Sequence, residues 1–183
     1  YGAGSEAELL FRFKSREEEY DGRDDHGREI RSAGRQIRQS LRLQLQHQVR
    51  RGLRTRSRIE WVRAKNAGEF CCYDALLIFQ DIRWQIFRKI RIDSRYTFFD
   101  SPDYASRLYQ FENDLLYVMT NSMLNGTGRR FYVLIKADLT EQAELWFKFG
   151  QSVYEGEQEI GSGLDRIMGN VRSSVGFQVR IRV

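Results

Sequence analysis

The chain has 183 residues, enough for one domain and too few for two full ones. It is 41% hydrophobic and 30% charged, and no run approaches the ~18 apolar residues of a membrane helix. A helical membrane protein is thereby excluded and a barrel is not, because barrel strands show lipid only every second residue. The net charge of +5 comes from 25 arginines and five lysines against 25 acidic residues. Such an arginine excess fits either nucleic-acid contact or a hydrated face of guanidinium–carboxylate pairs. Tyr1 is not a start methionine, so the chain reads as a processed product or a fragment whose signal peptide would already be gone.

In chain order, Leu9, Phe11 and Phe13 alternate with Glu8, Leu10, Arg12 and Lys14. Residues 15–35, dense in charge, then read as a loop. Leu41, Leu43, Leu45 and Val49 alternate with Arg42, Gln44, Gln46 and Gln48. Past a tight turn at 50–52, Leu53, Ile59 and Trp61 alternate with Arg54, Arg56, Arg58 and Glu60. Ile82, Trp84 and Ile86 interleave with Asp81, Arg83 and Gln85, and Ile90, Ile92, Tyr96 and Phe98 with Arg91, Asp93, Arg95 and Thr97. Phe131, Val133, Ile135 and Leu139 form a further apolar stripe against Tyr132, Leu134, Lys136 and Asp138. Leu145, Phe147 and Phe149 alternate with Glu144, Trp146 and Lys148. The clearest pattern closes the chain: Val175, Phe177, Val179, Ile181 and Val183 are apolar, and Ser174, Gly176, Gln178, Arg180 and Arg182 are polar or small. Period two over about ten residues is a strand with one greasy and one wet face, long enough to cross a bilayer at a tilt.

Eight strands follow, and their connections alternate in length. Links at 50–52, 87–89 and 140–142 are short, and those at 15–35, 66–70, 101–128 and 154–170 are long. Outer-membrane barrels join their strands by short periplasmic turns and long external loops. The pattern predicts an all-β fold over residues 1–183, an antiparallel up-and-down transmembrane barrel of about eight strands or the C-terminal part of a larger one. Segment 101–128 holds two strand-like pieces and is expected as a long external loop with local β-structure that folds over the barrel mouth.

Arg42, Arg54, Arg56, Arg58, Arg83, Arg91, Arg95, Arg180 and Arg182 lie opposite the apolar stripes, with Glu60, Asp81 and Asp93 among the acids on the same face. In a barrel they would meet in a polar lumen; facing lipid, each Arg or Lys would cost ~2–4 kcal/mol near the midplane. Trp61, Trp84, Tyr96, Phe98, Phe99 and Phe149 are candidates for the aromatic girdles at the two membrane interfaces. Nucleic-acid grooves set aromatics beside their basic residues, whereas here most aromatics take the opposite face, which disfavours nucleic acid as a partner of this segment.

Residues for chemistry are sparse. His26 lies in an acidic loop, His47 follows the outward phase of Leu45 and Val49, and neither has a nucleophile at a catalytic spacing. Cys71 and Cys72 are adjacent and would point to opposite faces of a strand, unsuited to a shared metal or an ordinary disulfide. No catalytic, cofactor-binding or metal-ligating set is therefore assigned, and the chain is expected not to be an enzyme.

The run from 145 to 183, with Trp146, Gly150-Gln151-Ser152, Gly161-Ser162-Gly163-Leu164-Asp165, Ile167 and Gly169-Asn170, resembles a Bacteroidota family of helix-hairpin-helix domain-containing proteins. The similarity extends upstream through 104–114 and 126–132, and more loosely to Gln36. Members look like secreted proteins with N-terminal helical hairpins and a C-terminal outer-membrane β-barrel. The resemblance implies the barrel, a bacterial outer-membrane location, and outer-membrane lipid and other envelope proteins as partners. No helix-hairpin-helix is present here, so the family's DNA-binding label has no residues to attach to, and the chain closes on Val183 rather than an aromatic. The function expected is a non-enzymatic structural or accessory component of an envelope complex. A narrow porin or transporter barrel and a nucleic-acid-binding or DNA-uptake protein are the alternatives.

Overall fold

A computed structural model describes residues 4–23, 29–161 and 166–182. It is all-β. The strands are β1 (Ser5–Arg23), β2 (Glu29–Arg50), β3 (Leu53–Lys65), β4 (Tyr73–Phe87), β5 (Ile90–Ser101), β6 (Leu108–Glu112), β7 (Thr120–Leu124), β8 (Gly126–Asp138), β9 (Ala143–Tyr154), β10 (Glu159–Ile160), β11 (Ile167–Met168) and β12 (Val171–Ile181). Eight form one antiparallel sheet in the order β1-β2-β3-β4-β5-β8-β9-β12, each neighbour reached by the next connection of the meander. The remaining four make two hairpins, β6-β7 and β10-β11, both within long connections. No ladder joins β1 to β12 among the described residues, so these two are the sheet's edges.

The three short links fall where the alternation places them, and two share a device. Register shifts occur at Gln48/Arg50 and Gln85/Phe87. The Gln48 amide donates to the carbonyls of Arg50 (2.5 Å) and Leu53 (3.1 Å), and that of Gln85 to Phe87 (2.7 Å) and Arg88 (3.3 Å). Each glutamine thus satisfies carbonyls that the irregular end of a ladder leaves unpaired.

The loop expected over residues 15–35 is instead largely strand. β1 and β2 remain paired from Ser15↔Ile37 to Arg23↔Glu29, whereas β3 leaves β2 at Ile37↔Lys65. This hairpin therefore projects about eight residues, roughly 25 Å, past the rest of the sheet. Its rungs set Glu17 opposite Arg35 and Asp21 opposite Arg31. A ribbon wet on both faces has no apolar period, which is why composition alone made it look like a loop. The Tyr20 ring anchors it by lying against Gly34 and Gly68, where a Cβ would collide with the ring.

The long connection 101–128 carries the local β-structure expected of it and departs from expectation in where it lies. Rather than covering a barrel mouth, it folds back onto one face of the sheet as a 3-10 turn (Tyr104–Ser106) followed by β6 and β7. Leu108 and Leu124 are buried with Val62, Ala75, Leu77, Phe79 and Phe99, and Leu115 and Leu116 pack against Tyr132, Leu134 and Trp146. Arg38 on β2 donates to the carbonyls of Ala105 and Arg107, and Gly176 on β12 lies under Leu115. From β2 to β12 is six strand spacings, ~29 Å if flat. One hairpin touches both, so the sheet curls around it and the face it occupies is concave.

Phe99 corrects the girdle assignment. It is fully buried on the concave face, with its ring edge-to-face with Tyr154 at 5.6 Å. Its neighbour Phe98 takes the outward position, and successive side chains on a strand cannot both do so. The convex face carries the apolar stripes, left open: Leu43 is 41% exposed, Phe131 38% and Phe177 64%.

Candidate functional site

The concave face is built from the wet half of each strand's period, and it gathers charge into clusters that run across the strands. Asp81 on β4 receives Arg56 from β3 and Arg95 from β5. Asp93 on β5 receives Arg83 from β4 and Arg91 two residues before it. Arg42 meets Glu60 at 2.8 Å. Glu144 collects Arg180, Arg182 (3.1 Å) and Lys136 (3.6 Å). Arg58 donates to Gln44 Oε1 at 2.6 Å and stacks on Phe79 at 4.8 Å, while Arg95 covers that ring at 4.0 Å. Arg54 lines a cavity of about 170 Å³ with Arg83 and Asp93. All twelve residues expected on one charged face therefore share it, and ten of them are ion-paired; Arg54 and Arg58 are not, among the described residues.

What sequence reasoning missed is the other half of the polar network, supplied by the inserted hairpin, which we call the plug. Glu112 is completely buried and accepts from Arg130 on β8, from Gln110 (3.0 Å) and from Lys148 on β9 (3.4 Å). Asp114 accepts from Lys148 at 2.7 Å and from Thr120. Arg95 donates to Phe111 O at 2.7 Å and Thr97 to Gln110 Oε1 at 2.9 Å. Beyond Leu108, which joins the apolar core, β6 inverts the usual rule: Gln110 and Glu112 point at the sheet, and Tyr109 and Phe111 point away. The surface it meets is cationic, so the polar side of its alternation is the one that docks. That inversion is legible only once the partner face is known.

Burial alone would raise the carboxyls of Glu112 and Asp114. For Glu112 the hydrogen bonds and charge of Arg130, with Lys148, outweigh it and hold the group below its ordinary value. For Asp114 the bonds from Lys148, Thr120 and the Leu115 amide do the same.

The loop motif divides. Gly161 lies just past β10 with φ +83°, and Ser162, Gly163, Leu164 and Asp165 lie outside the described residues. Gly169, at φ +103°, and Asn170 close the loop's base, where Tyr154 and Asn170 exchange hydrogen bonds of 2.9 and 3.1 Å. His26 is likewise outside the described residues, and His47 is exposed with Nδ1 2.7 Å from Ser5 Oγ. Cys71 and Cys72 lie in the β3–β4 loop rather than on a strand, exposed and free. No group of three metal-ligating side chains converges among the described residues. No protein-family model, curated protein or solved structure matches the chain.

Proposed function

We propose that this chain is an integral outer-membrane β-barrel protein whose wall includes the eight-stranded sheet, with a structural or accessory, non-enzymatic role in a cell-envelope complex. The observation that carries the reading is the inversion of the sheet: its charges are gathered inside and its apolar side chains are left open outside. A contiguous apolar surface of this extent on a water-exposed sheet would be an aggregation site. In lipid it is the solvated face. Two tryptophans mark its ends. Trp84 pairs with Leu53, eight residues along β3 from Trp61. At ~3.4 Å per residue that is roughly 27 Å along the strand, or ~20 Å of depth at a ~40° tilt, close to the ~25 Å of a barrel's apolar band.

The plug favours the larger of the two barrels expected from sequence. An eight-stranded barrel has an interior that side chains alone just fill. A β-hairpin within it needs a wider enclosure, completed by further strands on the free edges of β1 and β12. Tyr109, Phe111 and Met123, exposed on the side of the plug away from the sheet, would then face the remainder of the wall. The resemblance to the Bacteroidota barrels supports the same location. Membrane fractionation and gel migration test this: the protein should need detergent for extraction and migrate differently with and without heating. A protein that stays in solution without detergent and shows no heat shift would overturn the reading.

A further inference from the structure

At one end of the concave face lies a cavity lined by cations, four of which have no carboxylate in contact among the described residues. Its volume is about 330 Å³, and its walls are β1, β2, β3 and the start of the plug. Six cations line it, Arg12, Lys14, Arg16, Arg38, Arg42 and Arg107, against the single carboxylate of Glu60. Glu60 is taken by Arg42, and Arg16 pairs with Glu18. Among the described residues no carboxylate lies within 4.0 Å of Arg12, Lys14, Arg38 or Arg107. Of the arginines expected on this face from sequence, all but Arg54 and Arg58 have a carboxylate in contact, with Asp81 and Asp93 taking two apiece, so four cations without one around a single cavity set this end apart.

Two of these cations, Arg38 and Arg107, are also held in place. The Arg38 guanidinium spends two of its N–H groups on plug carbonyls, Ala105 O at 2.5 Å and Arg107 O at 2.6 Å. Arg107 donates to the Tyr109 hydroxyl at 2.7 Å and to Tyr104 O at 2.8 Å, with the Tyr104 ring 4.1 Å beneath it. Arginines fixed by neutral partners keep their charge available, and a fixed fork of donors matches the oxygens of a phosphate. The volume is at the small end of ligand sites, ~300–1,000 Å³, with room for a phosphate group on a small solute and none for a folded polymer.

We infer that this cavity binds a phosphate group, with Arg12, Lys14, Arg38 and Arg107 as its ligands and Tyr109 as a wall. It lies toward the long-connection ends of β1, β2 and β3, the external side of the proposed barrel. The phosphate belongs either to a soluble ester or to a lipid headgroup that reaches round the edge at β1. The site uses only residues 12–109; of its two sources, the lipid one rests on the membrane reading above and the soluble ester does not.

Calorimetric titration of the full chain with inorganic pyrophosphate, in phosphatidylcholine nanodiscs, tests it. Saturable binding is expected. The double variant Arg12→Gln/Lys14→Gln should weaken it at least tenfold; both side chains are exposed and make no protein hydrogen bond among the described residues, so folding should be kept. Arg172→Gln, an exposed arginine on β12, should leave binding unchanged. Nanodiscs of phosphatidylglycerol separate the two sources: loss of pyrophosphate binding there assigns the site to a lipid phosphate, and undiminished binding to a soluble ester. Absence of saturable binding in phosphatidylcholine, or equal affinity in the double variant, would overturn the inference.

Discussion

Replacing Arg130 by methionine should release the plug. Glu112 is wholly buried, and Arg130 reaches both of its oxygens, one through Nε and the other through Nη2 at 2.9 Å. Without Arg130 the carboxylate keeps Gln110 at 3.0 Å and a distant Lys148 at 3.4 Å, whose own closer bond is to Asp114 at 2.7 Å. Stranding one member of a buried pair typically costs ~3–5 kcal/mol. At ~1.4 kcal/mol per decade, the docked-to-released ratio of the plug should fall by roughly a hundred- to several-thousand-fold. Hydrogen exchange of the amides in Leu108–Glu112 and Thr120–Leu124 reads this directly, because a released hairpin loses protection while the main sheet does not. The double variant Glu112→Met/Arg130→Met removes both charges from the same place and should recover most of the protection. A single variant with protection within about tenfold of the parent, or a double variant no better than the single, would refute the assignment of this pair as the plug's anchor.

Three further outcomes are expected. The lowered carboxyls of Glu112 and Asp114 stabilise the docked plug above their unfolded pKa values of ~4.3 and ~3.9, and that contribution is lost as pH falls through the still lower folded values. Protease resistance of the plug should thus be flat from pH 7 to about 5 and decline only below ~4; loss beginning near pH 6 would point to another group. Gly128→Ala should destabilise the sheet by ~1–3 kcal/mol in denaturant titration, since its Cβ would meet Val153 O and lie 2.9 Å from the Phe99 ring. Leu43→Arg, on the convex face between Leu9 and Ile59, should cost ~2–4 kcal/mol in vesicle refolding if that face is in lipid; on a water-exposed surface the change would stay within ~0.5 kcal/mol.

The main sheet was legible because its strands obey one rule. In β9 the wet positions Glu144, Trp146 and Lys148 are buried, and Phe147 is exposed between them. Period two gave which residues share a face, and the alternating link lengths gave the meander. Two things were not legible. The β1–β2 projection pairs charge with charge on one face, as at Glu17↔Arg35, and polar or small residues on the other, as at Arg16↔Gln36 and Glu18↔Gly34, and so has no apolar period to detect. The plug docks Gln110 onto Thr97, 13 residues away, and Glu112 onto Arg130, 18 residues away, a complementarity visible only in three dimensions. Phe99 shows a smaller failure: proximity to a strand end suggested a girdle, and the parity of its position overruled it.

Lipid contact of the convex face can be read from the three tryptophans. Trp61 and Trp84 lie on that face near its two ends, and Trp146 is buried on the concave one. Single-tryptophan variants in vesicles of brominated phosphatidylcholine should show Trp61 and Trp84 strongly quenched, more by bromines near the headgroup than by bromines near the bilayer centre. Trp146 should remain as bright as in unbrominated lipid. Quenching of Trp146 alongside the others, or no quenching of Trp61 and Trp84, would contradict a sheet that turns its apolar face to the membrane.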